Sequence, residues 1–234
     1  MGSREPGRVE MSIRFPRIVL FDLDGTLLDS APDMLATVNL LRAAYDKSPM
    51  LLAELRPHVS RGSRAMLSAA FPELEQARRD AMVPAFLDAY QALLGRHSVL
   101  FEDVDTLLAR IEADGARWGI VTNKPEYLAR EIVPQLGWET RCAVLIGGDT
   151  LAERKPHPLP LQVAAQRLGS TIADCVYVGD DERDIQSARA AGMRSVAALW
   201  GYRGDDEVPA DWGADAMAAL PRALLDPRAW PRLP

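Results

Sequence analysis

The feature that most constrains this chain is a recurring pattern, a short apolar run that stops abruptly at a polar loop. Ile18 to Phe21 runs into DLDGT, Trp118 to Val121 into TNK, and Val176 to Val178 into GDD. Val144 to Ile146 before GGD and Ser195 to Leu199 before WGY have the same form. Between them lie amphipathic stretches of helical length: Val104 to Ala113, Tyr127 to Leu136, Leu159 to Leu168 and Asp184 to Ala191. Apolar strands alternating with helices predict a parallel sheet buried on both faces, because each parallel crossover lays a helix over the sheet. Ligands of such sheets bind beyond the carboxyl ends of the strands, so DLDGT, TNK and GDD are expected to gather at one place.

The alternation breaks between about Leu28 and Leu100, where MLATVNLLRAAY, SRAMLSAAF and VPAFLDAYQALL carry apolar residues at helical spacing. The expected architecture is α/β: a Rossmann-like, doubly wound parallel sheet core with an inserted α-helical cap domain. The core takes residues 15–27 and 101–225 and the cap residues 28–100. Residues 1–14 are read as an unstructured upstream stretch, and the Pro-rich tail 226–234 as frayed.

Asp22 and Asp24 stand one residue apart where the first strand ends, so an extended backbone points both carboxylates to the same side. At about 5 Å and an effective dielectric of about 20 they repel by about 3 kcal/mol, which asks for a shifted pKa or a cation. Asp180 and Asp181 add to that charge from a third loop. A hard divalent ion answers it, and magnesium suits two carboxylates, a carbonyl and solvent. Thr122, ending its strand, and Lys155, in ERKPHPLPL, add a hydroxyl and a positive charge. With the turn N–H groups from Leu23 through Gly25 to Thr26, this set suits a tetrahedral dianion, a phosphate group.

FDLDGTLLDS, IVTNK, RKPHP and YVGDDERDI, in this order, resemble the four motifs of the haloacid dehalogenase superfamily of phosphatases. The resemblance implies that Asp22 is a nucleophile forming an aspartyl phosphate and that Asp24 is the acid and base around it. It further implies Mg²⁺ on the Asp22 carboxylate, the Asp24 backbone carbonyl and Asp180. Asp184 would hold Lys155 or a metal-bound water, and Asp181 would stand behind these ligands. Thr122 and Asn123 would bind the transferring phosphoryl group. The second aspartate sets the chain apart from the dehalogenases that name the superfamily.

TNKPEYLA, VLIGGD, KPHPLPL and GDDERDI are similar to the phosphoglycolate phosphatase group. SRGSRAML, RHSVLF, VYVGDDERDI and WGAD resemble its cousins that act on N-acetylmuramic acid 6-phosphate in cell-wall recycling, and the expected substrate leans that way. The alternative is 2-phosphoglycolate; a sugar phosphomutase and a silent phosphate sensor stand behind both. Arg64 is expected to reach the substrate from the cap.

Twenty-seven basic residues against 33 acidic ones, with no basic tract, argue against nucleic acid as a partner. No apolar run approaches the roughly 18 residues a membrane span needs, and no secretion signal is read, so a cytoplasmic monomer or homodimer acting on a small phosphorylated metabolite is expected. Cys142 and Cys175 are read as buried and unpaired, the three histidines as structural, and Trp118, Trp138, Trp200 and Trp212 as packing residues.

Overall fold

The structure is a computed structural model that describes residues 15–204 and 206–233. The expectation for residues 1–14 concerns positions outside the described residues.

The chain opens with β1 (Ile18–Phe21), followed by β2 (Leu28–Asp29). Five helices come next: α1 (Ala31–Ala44), α2 (Leu52–Leu55), α3 (Ser63–Ala70), α4 (Gln76–Ala81) and α5 (Val83–Leu93). Strand β3 (Val99–Leu100) then leads through α6 (Val104–Ala113), β4 (Arg117–Val121), α7 (Glu126–Gln135) and β5 (Cys142–Ile146). The remaining elements are α8 (Leu159–Arg167), β6 (Cys175–Gly179), α9 (Glu182–Ala191), β7 (Arg194–Ala198) and β8 (Ala216–Ala218).

Six strands form one parallel sheet in the order β5-β4-β1-β6-β7-β8. Its centre is buried on both faces, as the apolar runs predicted. Val19 and Phe21 pack with α6 and α7 on one side, while Ile18 and Leu20 pack with α8 on the other. Edge strand β8 was not foreseen, since its apolar run, Ala216 to Ala218, is only three residues long and buries only one of them. The antiparallel pair of β2 with β3 was also unforeseen: it joins two-residue segments at either end of the helical block, too short for a periodic signal.

The tail corrects an expectation. Trp230 is buried, gives its indole N–H to the Leu224 carbonyl at 2.9 Å and meets the Phe15 ring edge-on at 6.0 Å. A large aromatic that finds both a pocket and a hydrogen-bond partner outweighs the chain entropy that would fray the end. Among the described residues no helix is long and apolar enough to cross a membrane.

Strand order places the site. The chain leaves β1 toward β4 and β5, then returns to the other side of β1 for β6, so the direction of winding reverses at β1. Phe21 is in register with Ile120 of β4 and Val178 of β6, which brings three strand ends to one level. The crevice beyond a reversal of this kind is where open α/β sheets bind ligands.

Candidate active site

Asp22 follows the last residue of β1 and is held in line by its N–H, which bonds the Val178 carbonyl at 2.9 Å. The chain then turns sharply at Gly25, whose φ of +86° lies in the left-handed region. A Cβ there would collide with the Asp180 carboxylate, so only glycine lets this turn approach the β6 loop. Thr26, just beyond, gives its hydroxyl to Asp180 at 2.8 Å.

Asp180 follows β6 directly and is fully buried. It also accepts from the Tyr202 N–H and from the Ser60 hydroxyl, each at 2.9 Å. Asp181 starts α9: it accepts from the Arg183 N–H at 2.9 Å, while Asp184 reaches back to the Asp181 N–H at 3.1 Å. This capping box satisfies orphan donors of the helix and aims Asp184 inward. The Asp181 carboxylate is spent on the Arg183 guanidinium at 2.7 Å.

Lys155 enters from the loop between β5 and α8, with 2% of its side chain exposed. Its ammonium donates to Asp184 at 2.6 Å and to the Tyr177 phenol oxygen at 2.8 Å, and pairs with Asp22 at 3.1 Å. Tyr177 passes its own proton to the Val121 carbonyl at 2.7 Å. Burial opposes the charge on Lys155, but Asp184 and Asp22 outweigh it and hold the ammonium above the usual lysine range.

Oxygen atoms of Asp22, Asp180 and Asp184 all lie within 4.8 Å of one another. At that spacing each pair repels by about 3.5 kcal/mol at an effective dielectric of about 20. Three carboxylates against one lysine leave two uncompensated negative charges. The strain shows as a raised proton affinity. Burial first, then the charges of Asp22 and Asp184, push Asp180 well above the carboxylate range. Burial, with Asp22 and Asp181 and against the pull of Lys155, pushes Asp184 up to about 7. A buried, all-oxygen donor set with two surplus charges has the composition of a hard-cation site.

Asp24 is not part of that trio. Its carboxylate turns to Lys124, which donates to both oxygens at 3.1 Å. Lys124 was missed in the sequence although TNK contains it, and its pairing is set by a contact 100 residues away. Thr122 follows β4, where its oxygen accepts from the Lys124 N–H at 3.2 Å and its own proton is left to give. Asn123 gives its amide to the Lys155 carbonyl at 2.9 Å, and so braces the lysine loop.

Asp22, Asp24, Thr122, Asn123 and Lys124 open onto a cavity of about 320 Å³ roofed by the helical block. Apolar Met34, Val59, Met66 and Phe86 line its far side. Arg64 stands at its rim, 67% exposed and paired with Asp80 at 2.9 Å, with no contact to the carboxylates. Ser60 and Tyr90, rather than Arg64, carry the block into the site; helical spacing marks Tyr90 as buried beside Phe86, but nothing local says what either residue meets, since their partners lie 120 and 34 residues away.

The family described as Haloacid dehalogenase-like hydrolase matches residues 19–198. A phosphoglycolate phosphatase of Xanthomonas campestris pv. campestris is 64% identical over 220 residues, covering 94% of this chain and all of that one. An N-acetylmuramic acid 6-phosphate phosphatase of Pseudomonas aeruginosa is 42% identical over 216 residues, covering 90% of this chain and 93% of its own. The crystal structure of a predicted phosphoglycolate phosphatase from Haemophilus somnus 129PT superposes with a TM-score of 0.80 at 25% identity, over 92% of this chain and 98% of that one.

Proposed function

We propose, on the premise that this chain belongs to the haloacid dehalogenase-like hydrolases and is a phosphatase among them, that it is a Mg²⁺-dependent phosphomonoesterase working through an aspartyl phosphate. The observation that carries this reading is the convergence of Asp22, Lys155, Asp180 and Asp184 on one buried point at the strand ends. Asp22, Asp180 and the Asp24 carbonyl would hold the ion, which when bound supplies charge neutralisation for the phosphoryl oxygens.

In the first step an Asp22 carboxylate oxygen attacks phosphorus, the ester P–O bond breaks, and Asp24 gives its proton to the departing oxygen. In the second, Asp24 takes a proton from water, whose oxygen bonds to phosphorus as the P–O bond to Asp22 breaks, releasing inorganic phosphate and the free Asp22 carboxylate. The Thr122 hydroxyl and the Asp24 N–H would donate to the phosphoryl oxygens, whereas the other N–H groups of the turn are already held: Leu23 by Asp22 at 2.7 Å, Gly25 by the Leu28 carbonyl at 3.0 Å and Thr26 by the Leu23 carbonyl at 3.3 Å. Lys155 pairs with Asp22 at 3.1 Å and aims it, and Asp184 and Tyr177 fix Lys155. The helices between Leu28 and Leu100 act as a cap that closes the cavity over the ester.

The relatives sharing 64% identity are named for phosphoglycolate, so 2-phosphoglycolate is the first substrate of the proposal, ahead of the N-acetylmuramic acid 6-phosphate toward which the sequence motifs leaned. The larger sugar remains a second reading because of one observation. A 320 Å³ cavity with an apolar wall is within the roughly 300–1,000 Å³ that drug-sized ligands fill, more room than a two-carbon acid uses. The mutase and sensor readings have no observation in their favour.

Measuring kcat/KM for both esters side by side, with Mg²⁺ and with Asp22→Asn as control, tests the proposal. Phosphate release that persists in Asp22→Asn overturns the mechanism, and preference for the sugar phosphate reverses the substrate order.

A further inference from the structure

We propose that Lys124 is a positioning residue for Asp24 and that it fastens the helical block to the sheet through Tyr90, an inference that rests on the phosphatase reading above. Lys124 lies in the loop after β4, and 2% of its side chain is exposed. Its ammonium donates to both Asp24 oxygens at 3.1 Å and to the Tyr90 phenol oxygen at 2.6 Å. An ammonium carries three donor hydrogens, and three acceptors surround this one. A buried ammonium persists only where such partners replace its water.

Asp24 depends on this contact for its direction. Among the described residues no other side chain bonds its carboxylate, which lines the cavity beside Asp22. A short carboxylate side chain otherwise samples several staggered rotamers, and the two-oxygen grip of Lys124 selects one of them. Distance matters for a group that must meet the departing oxygen, since proton transfer requires hydrogen-bond reach.

The third bond links this grip to the helical block. Tyr90 belongs to α5, and its ring is stacked on Phe86 with centroids 6.2 Å apart and 18° between planes. Lys124 Nζ also lies 4.5 Å from the Tyr90 ring centroid. Burial, then the charges of Asp24 and Asp33, raise the phenol well above its ordinary range, so Tyr90 stays a neutral acceptor and adds no charge to the pair. Lifting α5 from the sheet would strip Lys124 of one of its three partners and loosen the carboxylate it holds. Asp24 is thereby held in place when the block is closed.

The test separates positioning from mere support by changing the leaving group. The full-length protein and its Lys124→Met and Tyr90→Phe variants are assayed with Mg²⁺ on p-nitrophenyl phosphate, whose leaving group departs without a proton. They are assayed in parallel on whichever of the two carboxylated alkyl esters the wild type hydrolyses. A general acid contributes roughly 10²–10⁴-fold, so Lys124→Met is expected to lose about 10²-fold in kcat/KM on the alkyl ester and less than about tenfold on the aryl ester. Tyr90→Phe, which removes one oxygen, is expected to raise KM on both esters, and it keeps the test open if Lys124→Met does not fold. Equal losses on both esters for Lys124→Met overturn the positioning of Asp24, and a Tyr90→Phe enzyme indistinguishable from wild type overturns the fastening. A wild type that releases phosphate from none of these esters instead defeats the phosphatase reading itself.

Discussion

Replacing Lys155 by methionine keeps the length of the side chain and removes its charge. In the structure that charge lies 3.1 Å from Asp22 and 2.6 Å from Asp184, with its side chain 2% exposed. At an effective dielectric of about 20 these separations correspond to attractions of about 5 and about 6 kcal/mol. Much of that is offset by the cost of removing the ions from water, and breaking a buried pair by deleting one partner typically costs about 3–5 kcal/mol. If the loss is felt in the transition state, kcat/KM falls by about 10²- to 10⁴-fold. The substitution also leaves the three carboxylates with no buried cation, so Mg²⁺ should bind at least as tightly as in the wild type. Steady-state hydrolysis of p-nitrophenyl phosphate, Mg²⁺ titration by calorimetry and circular dichroism together check the reasoning. A folded Lys155→Met enzyme within tenfold of wild-type activity would refute it, and so would one whose loss is traced to weaker Mg²⁺ binding.

Three other perturbations have expected outcomes. Asp184, pushed up to about 7 by burial and its acidic neighbours, keeps its proton to higher pH when folded than when unfolded. The part of the metal-free protein's stability that Asp184 contributes should therefore be fully present below about pH 4 and be lost as pH rises through about 7, while Mg²⁺ needs the ionised carboxylates. The rise in Tm on adding Mg²⁺ should be larger at pH 8 than at pH 5.5, and equal rises would count against the acidic cluster as the metal site. Asp33, fully buried, accepts from the N–H groups of Gly95 at 2.8 Å, His97 at 2.7 Å and Ser98 at 3.3 Å, tying α1 to the return from the helical block. Asp33→Ala orphans those donors at about 1–3 kcal/mol each, so urea denaturation should show a loss of at least about 3 kcal/mol. Gly201→Ala should depress activity, because a Cβ there would collide with the Asp180 side chain. Wild-type kcat/KM in that variant would show that the loop yields freely.

Much of this molecule is legible in its sequence because the signals are local. Strand β1 is a run of four buried apolar residues that ends where DLDGT begins, and helix α6 spans the predicted Val104–Ala113. Burial on both faces demands such runs, and the turn chemistry of Gly25 and the capping chemistry of Asp181 are written in adjacent residues. The motif carboxylates could be named for the same reason, since each sits where an apolar strand stops. The folding of the tail was not legible: Trp230 is one aromatic in a proline-rich stretch until Phe15 provides its other wall.

What tertiary structure decided is which charges meet. Asp22 and Asp24 are neighbours in the chain, yet Asp22 joins Asp180, Asp184 and Lys155, while Asp24 joins Lys124 and, through it, Tyr90. Ion pairing depends on distance in space and on burial, and neither is encoded by spacing along the chain when the partners arrive from different strand ends. The residues present thus determined that a phosphate-handling site would form. Strand order and register determined its two centres of charge and brought Ser60 and Tyr90 to them from the helical block.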